Sequence, residues 1–472
     1  MAMRIVIRPL CAVRTLKGLT RSLGISAREV LEQQNICVEQ TTLKNGFRVA
    51  SENNGRPTAT VGVWIDAGSR FEHEENNGVA HFLEHMIYKG TDRRSQKQLE
   101  NELDKIGAKL HSYTSREHTA YYAQCASSDI ETVVDILADV LRCSRLNPAD
   151  IERERHVILR QLAELDENYK EVVFNNMHAA AFQGTPLANS VLGPTKNIES
   201  MSKEQLSAYV ESNYKPIRMV LTGVGGVDHN KLVKLSEKHF GDMVNAYPEK
   251  APPVERVRFT GSEFLYRDDS IPVMYGAIGV DGVSLSHPDA VPLQIASTIV
   301  GQWDQTYASS VNSPSRLAQK VSHGHGLLQF QSFSLNYKDC GLFGMYFVHQ
   351  AKDLDDTQAF VSAFQKEWKY LTTSVTRDDV ERAKNMLKTN VFETLETNAA
   401  RADDIGRQVL YRDRAQSLAE LEKAIEAVDD SMVREAMSRH VYDREVVCAG
   451  VGLTEAWPVY ARVRYGMSWW RL

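Results

Sequence analysis

Apolar residues recur along this chain with two different periods, and the switches between them outline its elements. After a polar link near residues 39–45, residues 46–50 and 60–67 read as strands, the second with Val61, Val63 and Ile65 at every other position. Over residues 96–106 the spacing changes: Leu99, Leu103 and Ile106 fall on one face of a helix that Ser95 can cap. Two strands follow, 109–113 and 118–126, joined by Thr114-Ser115-Arg116-Glu117. Residues 132–141 and 148–167 are helical, the latter with Asn147 as cap and Pro148 in the first turn, where a missing N–H does no harm. A helix at 172–182, a loop at 184–194, a helix at 203–212, a strand at 219–223 and a helix at 230–240 complete this set.

The next stretch, Tyr247-Pro248-Glu249-Lys250-Ala251-Pro252-Pro253, has adjacent prolines and no period, which marks a linker. Beyond it the order recurs. A strand holding Val273, Tyr275 and Ala277 precedes helices 288–300 and 315–321, and strands 327–335 and 342–349 follow. Helices 356–371, 377–393 and 399–411 and a strand at 446–450 close the chain. Asp150-Ile151-Glu152-Arg153 matches Asp379-Val380-Glu381-Arg382 at an offset of 229, and Gly223-Val224-Gly225 matches Gly450-Val451-Gly452 at 227. Two offsets agreeing so closely indicate an internal repeat. The expectation is an α+β fold of two homologous halves, residues 36–250 and 251–472. Each is a mostly antiparallel sheet packed with helices, and together they enclose a chamber.

Composition adds three constraints. With 43% hydrophobic and 25% charged residues in 472, the chain is an ordinary globular protein too long for one core. It has no apolar run long enough to span a bilayer. Its six cysteines are scattered without a C-x-x-C pair, which argues against a disulfide framework or a thiolate metal site. Residues 1–28 hold Arg4, Arg8, Arg14, Lys17, Arg21 and Arg28 and no acid, the signature of a mitochondrial transit peptide, here assigned to residues 1–35. Removing those six cations moves the formal charge from −6 to −12. An acidic body disfavours nucleic acid and suits a basic peptide.

The chemistry concentrates at Gly78-Val79-Ala80-His81-Phe82-Leu83-Glu84-His85-Met86. On a helix of about 100° per residue, His81, Glu84 and His85 share one face. Two imidazoles at i and i+4 can hold one Zn²⁺, and a carboxylate beside the metal can take a proton from its bound water. Asn76 or Asn77 is placed to cap this helix, and Gly90 suits a left-handed position after it. The corresponding stretch of the second half is Pro292-Leu293-Gln294-Ile295-Ala296, so only the first half is expected to carry the metal.

His81-Phe82-Leu83-Glu84-His85-Met86 with Tyr88-Lys89-Gly90-Thr91 resembles the zinc motif of the insulinase/pitrilysin family, in its β-type mitochondrial branch. Tyr113-Thr114-Ser115-Arg116-Glu117, Glu152-Arg153-Glu154-Arg155, Ala181-Phe182-Gln183-Gly184-Thr185-Pro186-Leu187 and Leu192-Gly193-Pro194 carry the resemblance further. It implies a metallopeptidase-like first half and a homologous second half without the motif. His81 and His85 are then metal ligands and Glu84 is the base, with Glu154 joining it in the catalytic set. The family's third ligand is a glutamate, and its position here is Gln161. Glu164, one turn on, is the acid nearest to a replacement. Two further departures are His111-Ser112, where the family usually has Asn-Ala on the strand that pairs with substrate, and Ala308-Ser309-Ser310, where β-type chains usually carry glycines.

The resemblance implies two functions. One is a mainly structural, matrix-facing core subunit of respiratory complex III (ubiquinol–cytochrome c reductase) on the mitochondrial inner membrane. Its partners are an α-type processing-peptidase or core protein 2 subunit, cytochrome b and cytochrome c₁, and Zn²⁺ is held weakly or not at all. The alternative is an active zinc endopeptidase β subunit that cleaves basic mitochondrial presequences with an α partner. The intact His81, Glu84 and His85 favour the enzyme, and Gln161 favours the scaffold.

Overall fold

The computed structural model describes residues 37–247, 255–307, 312–321 and 326–469. The transit segment 1–35, Pro252-Pro253 of the linker and Ala308-Ser309-Ser310 lie outside the described residues.

Strands β1 (Val38–Thr42), β2 (Arg48–Asn53), β3 (Thr58–Ile65), β4 (Lys109–Thr114), β5 (Thr119–Ala126) and β6 (Met219–Gly225) form one sheet in the order β1-β2-β6-β3-β5-β4. Strands β7 (Glu263–Arg267), β8 (Met274–Asp281), β9 (Gln302–Asp304), β10 (Leu327–Asn336), β11 (Gly341–His349) and β12 (Val446–Gly452) form a second, in the order β7-β12-β8-β11-β10-β9. Without the outermost β1 and β9, the two orders correspond strand for strand. The directions correspond too: β2 runs parallel to β6 as β7 does to β12, and every other corresponding pair is antiparallel. The repeat inferred from two short matches is therefore a repeat of topology.

The glycine pair in each match has a physical reason. Gly225 and Gly452 take φ of +124° and +97°, and a Cβ on either would lie 2.2 Å from the carbonyl oxygen of Thr58 or Val273 on the neighbouring strand. Only glycine permits that backbone approach.

The halves interlock. Helix Tyr169–Ala181 follows the long helix Pro148–Asp166, and helix Asn398–Arg412 occupies the same place in the second half, 229 residues on. Each crosses to the other half's sheet. Ala402, Ile405, Val409 and Leu410 cover Ala50, Trp64, Ala120, Val220 and Val224 on the first sheet. Val173, Met177, Ala180 and Ala181 cover Ala277, Val447, Ala449 and Val451 on the second. The opposite faces pack on each half's own helices, with Val61, Val63 and Ile65 in one core and Ile278, Val280 and Cys448 in another. Both sheets are thus covered on both faces, which is why β6, β11 and β12 are buried throughout and read as near-continuous apolar runs.

Polar bonds fix the crossings. Arg401 and Glu52 form a buried ion pair at 2.8 Å, Trp64 Nε1 donates to Asp403 at 2.9 Å, and His178 Nε2 meets the Tyr337 hydroxyl at 2.6 Å. Periodicity did not outline β1 and β7. Both lie at sheet edges, where β1 is mostly polar and β7 is exposed along its whole length. Of the described cysteines, all free, only Cys125 and Cys448 are buried.

Candidate functional site

The motif helix runs Val79–Met86 and buries Val79, Ala80, Phe82, Leu83 and Met86. That burial leaves His81, Glu84 and His85 on the face turned toward helix Pro148–Asp166 and strand β4, both of which it contacts. Neither Asn76 nor Asn77 caps it. The fully buried Glu72 does so instead, accepting the N–H of Gly78 at 2.8 Å, the N–H of Ala80 at 2.7 Å and the Asn77 side-chain amide at 2.6 Å. A carboxylate on the free amides of a helix start suits both their hydrogen-bonding needs and the dipole. Burial pushes the Glu72 carboxyl up to about 7 against the pull of those three donors. Gly90 has φ +119° but lies past the last turn, bridged to Ser95.

His81 is largely buried, and its Nδ1 has no hydrogen-bond partner. Burial, and then the neighbouring His85, lower its pKa to about 4, so the ring is neutral and has one nitrogen lone pair to offer a ligand. The two rings sit 4.9 Å apart. His85 Nδ1 lies 3.1 Å from Glu154 Oε2, while Lys89 Nζ reaches Glu154 Oε1 at 2.7 Å. Burial pushes Glu154 up, but the bonds from Lys89 and His85 outweigh it and hold the carboxyl below its ordinary range. With both oxygens engaged, Glu154 acts on the orientation of His85, leaving Nε2 pointing away. Its place is that of a carboxylate behind an imidazole, where it can orient the ring.

Glu84 is held from β4. Ser112 Oγ donates to its Oε1 at 3.2 Å and Thr114 Oγ1 to its Oε2 at 2.7 Å. His111, just before Ser112 on the strand, points to the other side, exposed and stacked on Tyr122 at 5.3 Å. The substituted position, Gln161, presents an Oε1 that is buried and without a partner. Glu164 is exposed. Among the described residues, no Asp, Glu or Cys groups with His81 and His85 within 4.8 Å, so no carboxylate stands in for the missing one.

The residues at the family's three ligand positions are therefore two imidazoles and one neutral amide. His81 Nδ1 and Gln161 Oε1 are both buried without a partner, and an amide is a poor ligand for Zn²⁺, which takes imidazole, thiolate or carboxylate. These residues fall short of a catalytic zinc set. Sequence reasoning missed Glu72, Lys89 and Thr114 as parts of the site. Lys89, one turn after His85, is the only one of the three whose spacing signalled its place.

Comparison with known proteins agrees with the geometry. The model for insulinase (peptidase family M16) matches residues 48–195, and that for the peptidase M16 inactive domain matches residues 200–387. Cytochrome b-c1 complex subunit 1 of Caenorhabditis elegans is 51% identical, over 96% of this chain and 95% of its own. The rat mitochondrial-processing peptidase subunit beta is 46% identical over 91% and 88%. A chain of complex III2 from Candida albicans, solved with Inz-5 bound, superposes with a TM-score of 0.81 at 26% identity, covering 91% of this chain and 99% of that one. With its motif helix, its two topologically matched halves and these relatives spanning nearly its whole length, the chain belongs to the insulinase (peptidase M16) family.

Proposed function

We propose that this chain is a mitochondrial β-type core subunit of respiratory complex III whose work is mainly structural and whose inherited metal site holds zinc weakly or not at all. The observation that carries this is Gln161, an amide where the family's acidic ligand belongs, with no carboxylate among the described residues grouped with both imidazoles. The relatives support the setting, since both kinds are mitochondrial by name and one is a subunit of the cytochrome b-c1 complex. The assembly would place the chain on the matrix side of the inner membrane beside cytochrome b and cytochrome c₁, paired with an α-type or core protein 2-like subunit. Among the described residues no helix is long and apolar enough to cross a membrane, so these partners would supply the attachment.

The second reading is a zinc endopeptidase β subunit that cleaves basic presequences with an α partner. His81, Glu84 and His85 favour it, being intact and held in order by Glu154, Ser112 and Thr114. Metal analysis separates the two. The scaffold reading expects the purified protein to hold far less than one equivalent of the zinc that His81→Ala/His85→Ala removes. It also expects Gln161→Glu to raise that occupancy at least about tenfold. A full equivalent in the wild type, unchanged by Gln161→Glu, would overturn it. Native electrophoresis of mitochondria should find the chain comigrating with cytochromes b and c₁; a free soluble heterodimer would leave only the peptidase.

A further inference from the structure

The half that lacks the motif holds the better set of metal ligands. His287 and Asp289 precede helix Ala290–Val300, and His440 ends helix Asp430–His440, which packs against it. The ligand atoms of these three side chains all lie within 4.8 Å of one another, and no other group of three His, Cys, Asp or Glu does so among the described residues. His440 Nε2 is 2.8 Å and His287 Nδ1 3.8 Å from the same oxygen, Asp289 Oδ2. The two rings stand perpendicular, 5.4 Å apart.

A plain helix cap does not account for this. Asp289 occupies the N-cap position, yet its side chain makes no capping bond. The carboxylate, in a residue only 7% exposed, turns instead to His440 and to Arg439, whose guanidinium holds Oδ1 at 2.9 Å. Oδ2 is thereby presented to the two imidazoles, as a hydrogen-bonded ligating carboxylate is. His287 Nδ1 accepts the Asp289 amide at 3.1 Å, a lone pair that an ion would take in the amide's place. The His287 side chain is 39% exposed, which gives an ion a path in and leaves room for water as a further ligand.

We propose that His287, Asp289 and His440 form a second metal site, for a divalent transition ion such as Zn²⁺, joining the ends of two helices of the second half. Two neutral imidazole nitrogens and one carboxylate oxygen suit Zn²⁺, Co²⁺ or Ni²⁺ rather than Mg²⁺ or Ca²⁺. Because this set has the anionic member that His81, His85 and Gln161 lack, it takes zinc first when both compete.

The test uses the full chain carrying His81→Ala/His85→Ala, so that the first site cannot answer. Titration with Co²⁺ should give one saturable equivalent with a visible d–d band that Zn²⁺ displaces and Mg²⁺ does not. His287→Ala, an exposed position that folding tolerates, and His440→Gln should each weaken Co²⁺ at least about tenfold. The same zinc should raise the melting temperature of the parent and not of His287→Ala. Absence of a saturable band, or a band unchanged in both His287→Ala and His440→Gln, would overturn the proposal and leave the trio a hydrogen-bonded helix junction. This outcome is independent of the zinc content at His81 and His85.

Discussion

Ser112 on β4 donates its hydroxyl to Glu84 Oε1 at 3.2 Å, and since Thr114 takes the other oxygen, both are bonded to the strand that would receive a peptide. The family's usual alanine at this position has no hydroxyl to give. Were Glu84 to act as the base, Ser112 would compete with a water between the histidines for its lone pairs. In a Gln161→Glu background with a competent α partner, Ser112→Ala should raise the turnover of a presequence peptide. The gain should be at most about 10- to 100-fold, the scale of one hydrogen bond to a charged group. Turnover that is unchanged or lower would show that the Ser112 bond does not restrain Glu84.

Glu154 supplies the opposite kind of control. It orients His85 and is itself held by Lys89. Glu154→Gln in the Gln161→Glu background should weaken zinc by about 10- to 100-fold, the usual size of losing a partner behind a ligand. Its melting temperature without metal should move little. If zinc affinity is unaffected, His85 is oriented by packing alone.

Much of this arrangement was legible in the chain, for identifiable reasons. The helix at 96–106 has a capping Ser95, a Gly107 in the left-handed region and clean apolar spacing, so sequence and structure agree to the residue. His81, Glu84 and His85 share a face because helical geometry leaves no alternative. The crossing of helices Tyr169–Ala181 and Asn398–Arg412 was not legible, because an apolar helix face does not say which sheet it covers. Equally hidden was Glu72, whose role as cap depends on a loop folding back over the helix start. The trio in the second half was invisible because His440 lies 151 residues from Asp289.

The interlocked halves should unfold together. Gly406 on the crossing helix lies against Trp64, so that a Cβ there would come within 2.5 Å of the buried indole ring. Gly406→Ala should destabilise the protein by about 1–3 kcal/mol, the scale of overpacking in a dense core. Ala at Gly184, where a Cβ meets nothing within 4 Å, should carry only the smaller strain of its positive φ. Calorimetry should show one transition for both halves, shifted as a whole in Gly406→Ala. Two separable transitions, only one of them shifted, would mean that the crossing helices do not couple the sheets.

His118 is buried between the hydroxyls of Tyr113 and Tyr411, at 2.9 Å from Nε2 and 2.6 Å from Nδ1. Burial, and then the nearby Arg407, lower its pKa to about 4. Unfolded, the same ring titrates at about 6.5. Below that pH the unfolded chain takes up a proton that the folded one refuses. The contribution of a neutral His118 is therefore full above pH 6.5 and is lost as pH falls through 4. At pH 5 the loss is about 2 kcal/mol. His118→Gln, which keeps a donor and an acceptor between the two tyrosines, should make urea stability fall less between pH 7 and pH 5, by about that amount. A slope remains, because His178, held neutral by burial and by Arg116, carries the same sign. If wild type and His118→Gln lose stability in parallel over this range, His118 is not excluded from protonation in the folded chain, and the acid response originates elsewhere.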